Sequence, residues 1–419
     1  MKKWLLSIAA SLVVLVGLLL FVAPDSVDIP NLTLHSGDPK NGLYQQSLRS
    51  FIFDYGDVVV YYERSGWVPA HEFPYSYTDQ EYPPLGILYF SLPRLFVSDF
   101  GSYVTVYVLL VALTFFCFLY FAWKLLGIMQ RSRWYMLGFL LPSFLYFVGA
   151  RFDIFAATMV MASLLTLYRK KFIFSMVLIG LAMLIKWYPV FLVPFAIAWS
   201  VKQGISLRTI KKGVLWSAAV FFGITALTVC FSGVAAGYPY EFHALRGIEM
   251  GSLPSVFLKL AAITDVSVQS NAVLIFMGLI LFGIQLLPFL YGTIFYSRMQ
   301  RYVVTFDDVA RFSLLAVMLF VHVGKIYSPQ WEIWWLPLAL LVVRRPRELY
   351  VLIAIDLLNY VLFPILLIIY NAVWFRYAYF DSLVLVHYAT VLIFGLVIAQ
   401  PFLTQRRRLR NAAIGNSQI

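Results

Sequence analysis

Phe53-Asp54-Tyr55-Gly56-Asp57, then Tyr61-Tyr62, then Glu81-Tyr82-Pro83-Pro84-Leu85 mark a stretch unlike the rest of the chain. It is rich in acids, tyrosines and prolines, whereas the chain beyond Leu85 is mostly apolar. That contrast sets the fold class. Of 419 residues, 62% are hydrophobic, 18% aromatic and only 12% charged, far from soluble globular composition. The chain reads as an all-α polytopic membrane protein, a single integral membrane domain over 1–419. A block of carboxylates kept at one mouth of an apolar bundle is a candidate functional site by default, because ionisable groups at membrane depth are costly to retain.

Working outward, the run from Leu5 to Ala23 after Lys2-Lys3 is long enough to cross a ~30 Å hydrocarbon core. It is read as a first transmembrane helix, because Phe21-Val22-Ala23-Pro24 offers no small-residue cleavage site. Residues 24–84 then form a large first outer loop. Its length and its aromatics, among them Phe51, Tyr61, Tyr62 and Trp67, predict short interfacial helices rather than a plain connector. Beyond it, apolar runs recur to residue 403 and bring the expected total to about twelve transmembrane helices, several of them shorter than a full span. The piece from Leu85 to Val97 is too short to cross and is not counted.

Charge sets the orientation. The net charge of +12 would suggest a nucleic-acid partner in a soluble protein, but here the positive-inside rule accounts for it and no nucleic-acid partner is expected. With both termini and the basic tail 404–419 in the cytoplasm, cytoplasmic segments hold 22 of the 32 Lys and Arg, including Arg131, Arg311 and Arg344. The same segments hold three of the 20 acids, Asp307, Asp308 and Glu348. The chain is thus expected to be a multi-pass protein of the cell membrane with its site on the non-cytoplasmic face.

The polar residues left on the outer side gather at a few places: Arg151 with Asp153, Lys186, His243 with Arg246 and Glu249, and Lys325 with Ser328-Pro329-Gln330. Several cations around one pocket would bind a phosphate, which makes Lys186, His243, Arg246 and Lys325 the candidate phosphate-binding set. The competing reading is snorkelling side chains and local ion pairs, such as Arg151 with Asp153. Asp54 and Asp57 would share a helix face, but the histidines show no paired spacing, and neither a metal nor any other cofactor is expected. Cys117 and Cys230 lie in separate apolar segments and indicate no disulfide framework.

Gly56-Asp57-Val58-Val59-Val60-Tyr61-Tyr62, Pro74-Tyr75 and Tyr82-Pro83-Pro84-Leu85 resemble the first outer loop of glycosyltransferase family 87. The likeness continues in order through Gly149-Ala150-Arg151-Phe152-Asp153, Lys186-Trp187-Tyr188-Pro189, His243-Ala244-Leu245-Arg246-Gly247 and Tyr327-Ser328-Pro329-Gln330 with Trp334 and Pro337. The chain departs from the family at Glu249-Met250-Gly251-Ser252 and at Trp331, so contacts to the acceptor are expected to differ there. The resemblance implies a GT-C-type membrane enzyme that takes a polyprenyl-phosphate sugar, mannose above all, and passes it with inversion to a hydroxyl of a lipid or glycan acceptor. It implies Asp57 as the general base. Asp54, Glu81, Tyr82, Arg151, Asp153, Glu249 and Gln330 would be supporting or acceptor-binding residues, and Lys186, His243, Arg246 and Lys325 would meet the donor phosphate. A secondary transporter or a flippase for lipid-linked glycans is the alternative, although no repeated halves are seen.

Overall fold

The computed structural model describes residues 53, 55–249, 251–260, 271–294, 302–303, 305–369 and 375–415. The expected first helix over Leu5 to Ala23, the loop before Phe53, Asp54, Met250 and the end of the tail beyond 415 lie outside these residues. Among the described residues all regular structure is helical. An apolar chain in lipid has to pair its backbone groups within each segment, and helices do so.

Among the described residues, four helices are long and apolar enough to cross a membrane: Phe100–Ile128, Leu207–Leu245, Pro346–Leu366 and Phe380–Gln400. Pro142–Ala150 and Asp153–Tyr168 together would make a fifth, but they meet at 108°. Other apolar runs form shorter helices, Phe172–Met183 and Tyr188–Lys202 among them. By length and composition the described residues therefore supply four or five crossings against the twelve expected. One apolar run has a distinct reason for its shortness. Glu332–Val342 is buried along all eleven of its residues, so it faces protein on every side. It packs on Phe306–Val323, Asp153–Tyr168, Pro142–Ala150 and Phe100–Ile128 and forms the centre of the core.

Neighbouring helices approach closely where side chains are small. A methyl group on Gly180 would stand 2.7 Å from the Ser217 carbonyl oxygen, and one on Gly213 would stand 2.7 Å from the Phe172 ring. These contacts seat Phe172–Met183 against Leu207–Ser232, as small residues do between helices in lipid. Across the other side of the same helix, the Ser163 and Ser175 hydroxyls meet at 2.9 Å. Gly180→Ala is therefore expected to lower stability by about 1–3 kcal/mol, the range for overpacking a tight contact. A drop in the thermal unfolding midpoint of the purified protein would report it, and an unchanged midpoint would mean that the helices can part without cost.

Tyr55–Arg64, Trp67–Ala70, Pro74–Tyr77 and Pro84–Ser91 are short helices that cover one end of the bundle. Their aromatics tie them down. Tyr61 is fully buried and stacks on Phe90 at 4.9 Å, with Phe152 at 5.3 Å. Tyr62 donates to the Ser98 carbonyl (2.6 Å), Tyr75 to that of Tyr82 (2.7 Å) and Tyr103 to that of Phe90 (2.7 Å). The Leu85 backbone N–H donates to Leu184 O at 3.0 Å, so this layer is joined to the bundle by backbone as well as by side chains.

Charged groups collect at two separate places. Asp57, Arg151, Asp153 and Lys186 lie under the short helices. Arg131, Arg311 and Arg344 converge on Asp307, at the start of the helix that ends just before Lys325. Eighteen residues of helix separate its ends, roughly 27 Å at 1.5 Å per residue.

Candidate active site

Asp57 lies in the first turn of Tyr55–Arg64, where free backbone N–H groups favour a carboxylate. Its Oδ2 accepts from the Tyr61 hydroxyl one turn on, at 3.4 Å, and its carboxylate is ion-paired with Arg151. Arg151 lies at the break between Pro142–Ala150 and Asp153–Tyr168, in extended conformation, and its side chain is 9% exposed against 30% for Asp57. The cation is thus held by the protein, and the acid is the more open member of the pair.

Two residues on, the same break turns Asp153 the other way. Asp153 is fully buried, accepts a hydrogen bond from Trp334 Nε1 at 2.7 Å, and has Lys186 Nζ 3.5 Å away. The local pair of Arg151 with Asp153 that the sequence leaves open is replaced by two longer-range pairs, because the 108° bend gives the two side chains different neighbours. Lys186 comes from the gap between Phe172–Met183 and the turn at Tyr188–Leu192. Its ammonium is enclosed by Phe152 at 4.5 Å, Tyr82 at 5.0 Å and Trp334 at 6.0 Å from the ring centroids. Aromatic faces and one carboxylate replace its water shell.

Glu81 and Tyr82 stand beside this pair. Glu81 faces Arg64 at 3.7 Å, and the Arg64 guanidinium also lies over the Tyr82 ring at 5.6 Å, so Tyr82 lies between Arg64 and Lys186. Above them His243, on the short helix Tyr238–Leu245, is near enough to Lys186, Glu81 and Arg246 to feel their charges. Arg246 is paired with Glu249 at 2.7 Å. Burial pushes the Glu249 carboxyl above its ordinary range, while Arg246 pulls it back. The Glu249 N–H donates to Lys325 O at 2.9 Å, and Lys325 Nζ donates to the Ala244 carbonyl at 2.7 Å, which clips the 243–249 segment to the end of Phe306–Val323.

The candidate residues are thus brought together unevenly. Asp57, Arg151, Asp153, Lys186 and Tyr82 share one layer, with Glu81, His243 and Arg246 at its edge. Lys325 stands to the side with its ammonium on a carbonyl. Gln330 is half-buried in the turn Pro329–Trp331, beside Trp331, whose ring stacks on Trp334 at 5.0 Å. Asp54 lies outside the described residues. Among the described residues no group of three or more His, Cys, Asp or Glu is placed to hold a metal.

Two features escape the sequence. Trp334 stands in a recognisable motif, but nothing there marks it as the donor to Asp153; its position three residues after Trp331 in a helix-starting segment is the available signal. The other is a buried polar network behind the site. Asp356 accepts from the N–H groups of Ser143 (3.2 Å) and Phe144 (3.0 Å) and so caps the helix that ends at Arg151. The Asn359 amide nitrogen has Glu332 Oε2 and Ser143 Oγ at 2.8 Å and Pro329 O at 3.1 Å as acceptors for its two hydrogens, and its oxygen accepts from the Tyr327 hydroxyl at 3.1 Å. Only Asp356 gives a hint, as an acid inside an apolar run.

A helical membrane protein with paired carboxylates and cations under a cap of short helices is the class this architecture defines. The sequence profile of glycosyltransferase family 87 matches residues 81–329, more than half of the chain, and the protein belongs to that family. It is a membrane glycosyltransferase, and the transporter alternative is set aside. The matched range begins at Glu81, so it takes in Arg151, Asp153, Lys186 and the 243–249 segment but not Asp57. A search of curated proteins returned no match.

Proposed function

We propose that the protein transfers mannose from a polyprenyl-phosphate donor to a hydroxyl of a lipid or glycan acceptor, with inversion, at the non-cytoplasmic face. The observation that supports this most is the Asp57–Arg151 pair, an accessible carboxylate held by a buried guanidinium, next to the enclosed Lys186–Asp153 pair. A general base has to take the proton of the attacking hydroxyl while cations stabilise charge on the departing phosphate. Both parts are present within one layer. With no donor, Arg151 neutralises Asp57 and weakens it as a base. A donor phosphate near Arg151 competes for that guanidinium and leaves Asp57 free to accept a proton, so base strength rises only when the leaving group is in place. His243 and Arg246 close over the same space from above, and the apolar tail of the donor lies among helices. The acceptor approaches from the side of Asp57, opposite the phosphate, and that opposition gives inversion.

The test is incubation of the purified protein with radiolabelled polyprenyl-phosphate mannose and a membrane extract, followed by separation of lipid and glycan products. Label transferred with an inverted anomeric configuration supports the reading, and failure with every lipid-linked donor tried rejects it. The face is tested separately. A cysteine replacing Val60 is expected to react with a membrane-impermeant thiol reagent added outside intact cells, whereas one replacing Arg208 should need access to the cytoplasm. Reaction of the residue-60 probe only from the cytoplasmic side would overturn the orientation drawn from charge.

A further inference from the structure

At the other end of Phe306–Val323, three guanidiniums share one carboxylate. Asp307 accepts from Arg131, from Arg311 Nη2 at 3.0 Å and from Arg344 Nη2 at 2.7 Å. The three arginines come from separate segments: the loop after Phe100–Ile128, the helix Phe306–Val323 itself and the end of Glu332–Val342. Arg131 also donates from Nε to the Leu341 carbonyl at 2.9 Å, and Arg131, Arg311 and Asp307 are largely buried. Two further acids stand close by and both are engaged by backbone. Asp308 forms a capping box with Thr305, and Glu348 accepts from the N–H groups of Arg344 (2.7 Å) and Arg345 (3.1 Å).

The cluster holds more positive charge than its own acids offset. At its centre three guanidiniums meet the single carboxylate of Asp307, while Asp308 and Glu348 are held by backbone groups; the exposed Arg345 and Arg347 flank Pro346 further along the chain. Burial, and then the charges of Arg344 and Arg311, pull Arg131 below the ordinary arginine range even though Asp307 acts the other way. Excess charge of this kind is costly where water is partly excluded. Trp134, three residues after Arg131, is 78% exposed, and Tyr350, six after Arg344, is 68% exposed; Trp and Tyr are enriched at the headgroup level of bilayers. Arg344 is the open member of the three, with its side chain 55% exposed, and it is the point at which an outside anion gains access.

We propose that Arg131, Arg311 and Arg344 bind a phosphate-bearing anion at this end of the molecule, either the headgroup of an anionic phospholipid or free phosphate. Guanidinium groups suit phosphate oxygens because each offers a planar pair of donors. Such a ligand completes the charge balance of a junction that joins three helix ends, so it stabilises the fold far from the candidate active site. The inference does not depend on the sugar chemistry proposed above.

The experiment uses the full chain in detergent and measures lipid retained in native mass spectrometry together with the thermal unfolding midpoint. Phosphatidylglycerol, phosphatidylcholine and inorganic phosphate are added in separate arms. Phosphatidylglycerol retained in preference to phosphatidylcholine, with a raised midpoint, is the expected result. A rise as large with inorganic phosphate alone would support the site and assign it to the free anion. Arg344→Gln should weaken retention roughly fivefold, the scale of one exposed charge pair, and Arg208→Gln, an exposed arginine elsewhere, should leave it unchanged. Asp307→Asn removes the competing internal anion and should strengthen retention wherever that variant folds. Equal retention of both lipids with no response to phosphate, or an Arg344→Gln protein indistinguishable from the parent, would overturn the proposal.

Discussion

Asp57→Asn is expected to keep the fold and donor binding while losing most transfer, by roughly 10²- to 10⁴-fold, the usual contribution of a general base. Asparagine is nearly isosteric with aspartate and still accepts from the Tyr61 hydroxyl, but it cannot take a proton. It also removes the carboxylate that pairs with Arg151, so turnover has to be expressed per folded molecule, with unfolding measured alongside. Donor binding is the discriminating readout. With residue 57 neutral, Arg151 is no longer shared between carboxylate and phosphate, and donor affinity should hold or rise as turnover falls. Asp54→Asn should cost less. Full transfer by Asp57→Asn beside a dead Asp54→Asn would reverse the assignment of the base.

The second large effect concerns the buried pair. Asp153→Ala or Lys186→Met, taken singly, should each cost about 3–5 kcal/mol of stability, because each strands a charge inside aromatic surroundings. The double variant should recover much of that loss. A double-mutant cycle of unfolding free energies gives the coupling directly. The same variants separate two roles for Lys186. If Lys186→Met leaves the unfolding midpoint unchanged and only donor affinity falls, the ammonium belongs to the phosphate and the contact with Asp153 at 3.5 Å is incidental. A large loss of stability restored in the double variant makes Lys186 chiefly a structural partner, and the phosphate-binding role then rests on Arg151 and Arg246.

Part of which residues lie together is legible in the sequence; who pairs with whom is not. Charge bias alone groups Arg131, Arg311, Arg344 and Asp307 on one side, and they meet at one point. It groups Asp57, Arg151, Asp153 and Lys186 on the other together with Lys325 and Gln330; the first four form two neighbouring pairs, whereas Lys325 bonds a carbonyl to the side. Charge bias is a property of ends, and sequence records ends well. Partner choice depends on direction: nothing in Arg151-Phe152-Asp153 announces a 108° turn that sends two neighbours apart. The number of crossings is hard to read for a related reason. Hydropathy scores Glu332–Val342 as it would a lipid-facing run, although that helix touches only protein. The network of Ser143, Glu332, Asp356 and Asn359 is hard to see because its members come from three distant segments, and apart from Asp356, an acid in an apolar run, each looks ordinary alone.

That fully buried helix also constrains how the protein is made. Eleven residues rise about 16 Å, half of a bilayer, and they carry Glu332 at one end and Pro337 inside. Such a segment has no reason to enter lipid by itself as it leaves the ribosome. Its stable environment is created by the helices on which it packs, and Phe306–Val323, Asp153–Tyr168 and Phe100–Ile128 all precede it in the chain. The order of synthesis therefore supplies the receptacle before the insert, and the centre of the molecule is among the last parts to be seated.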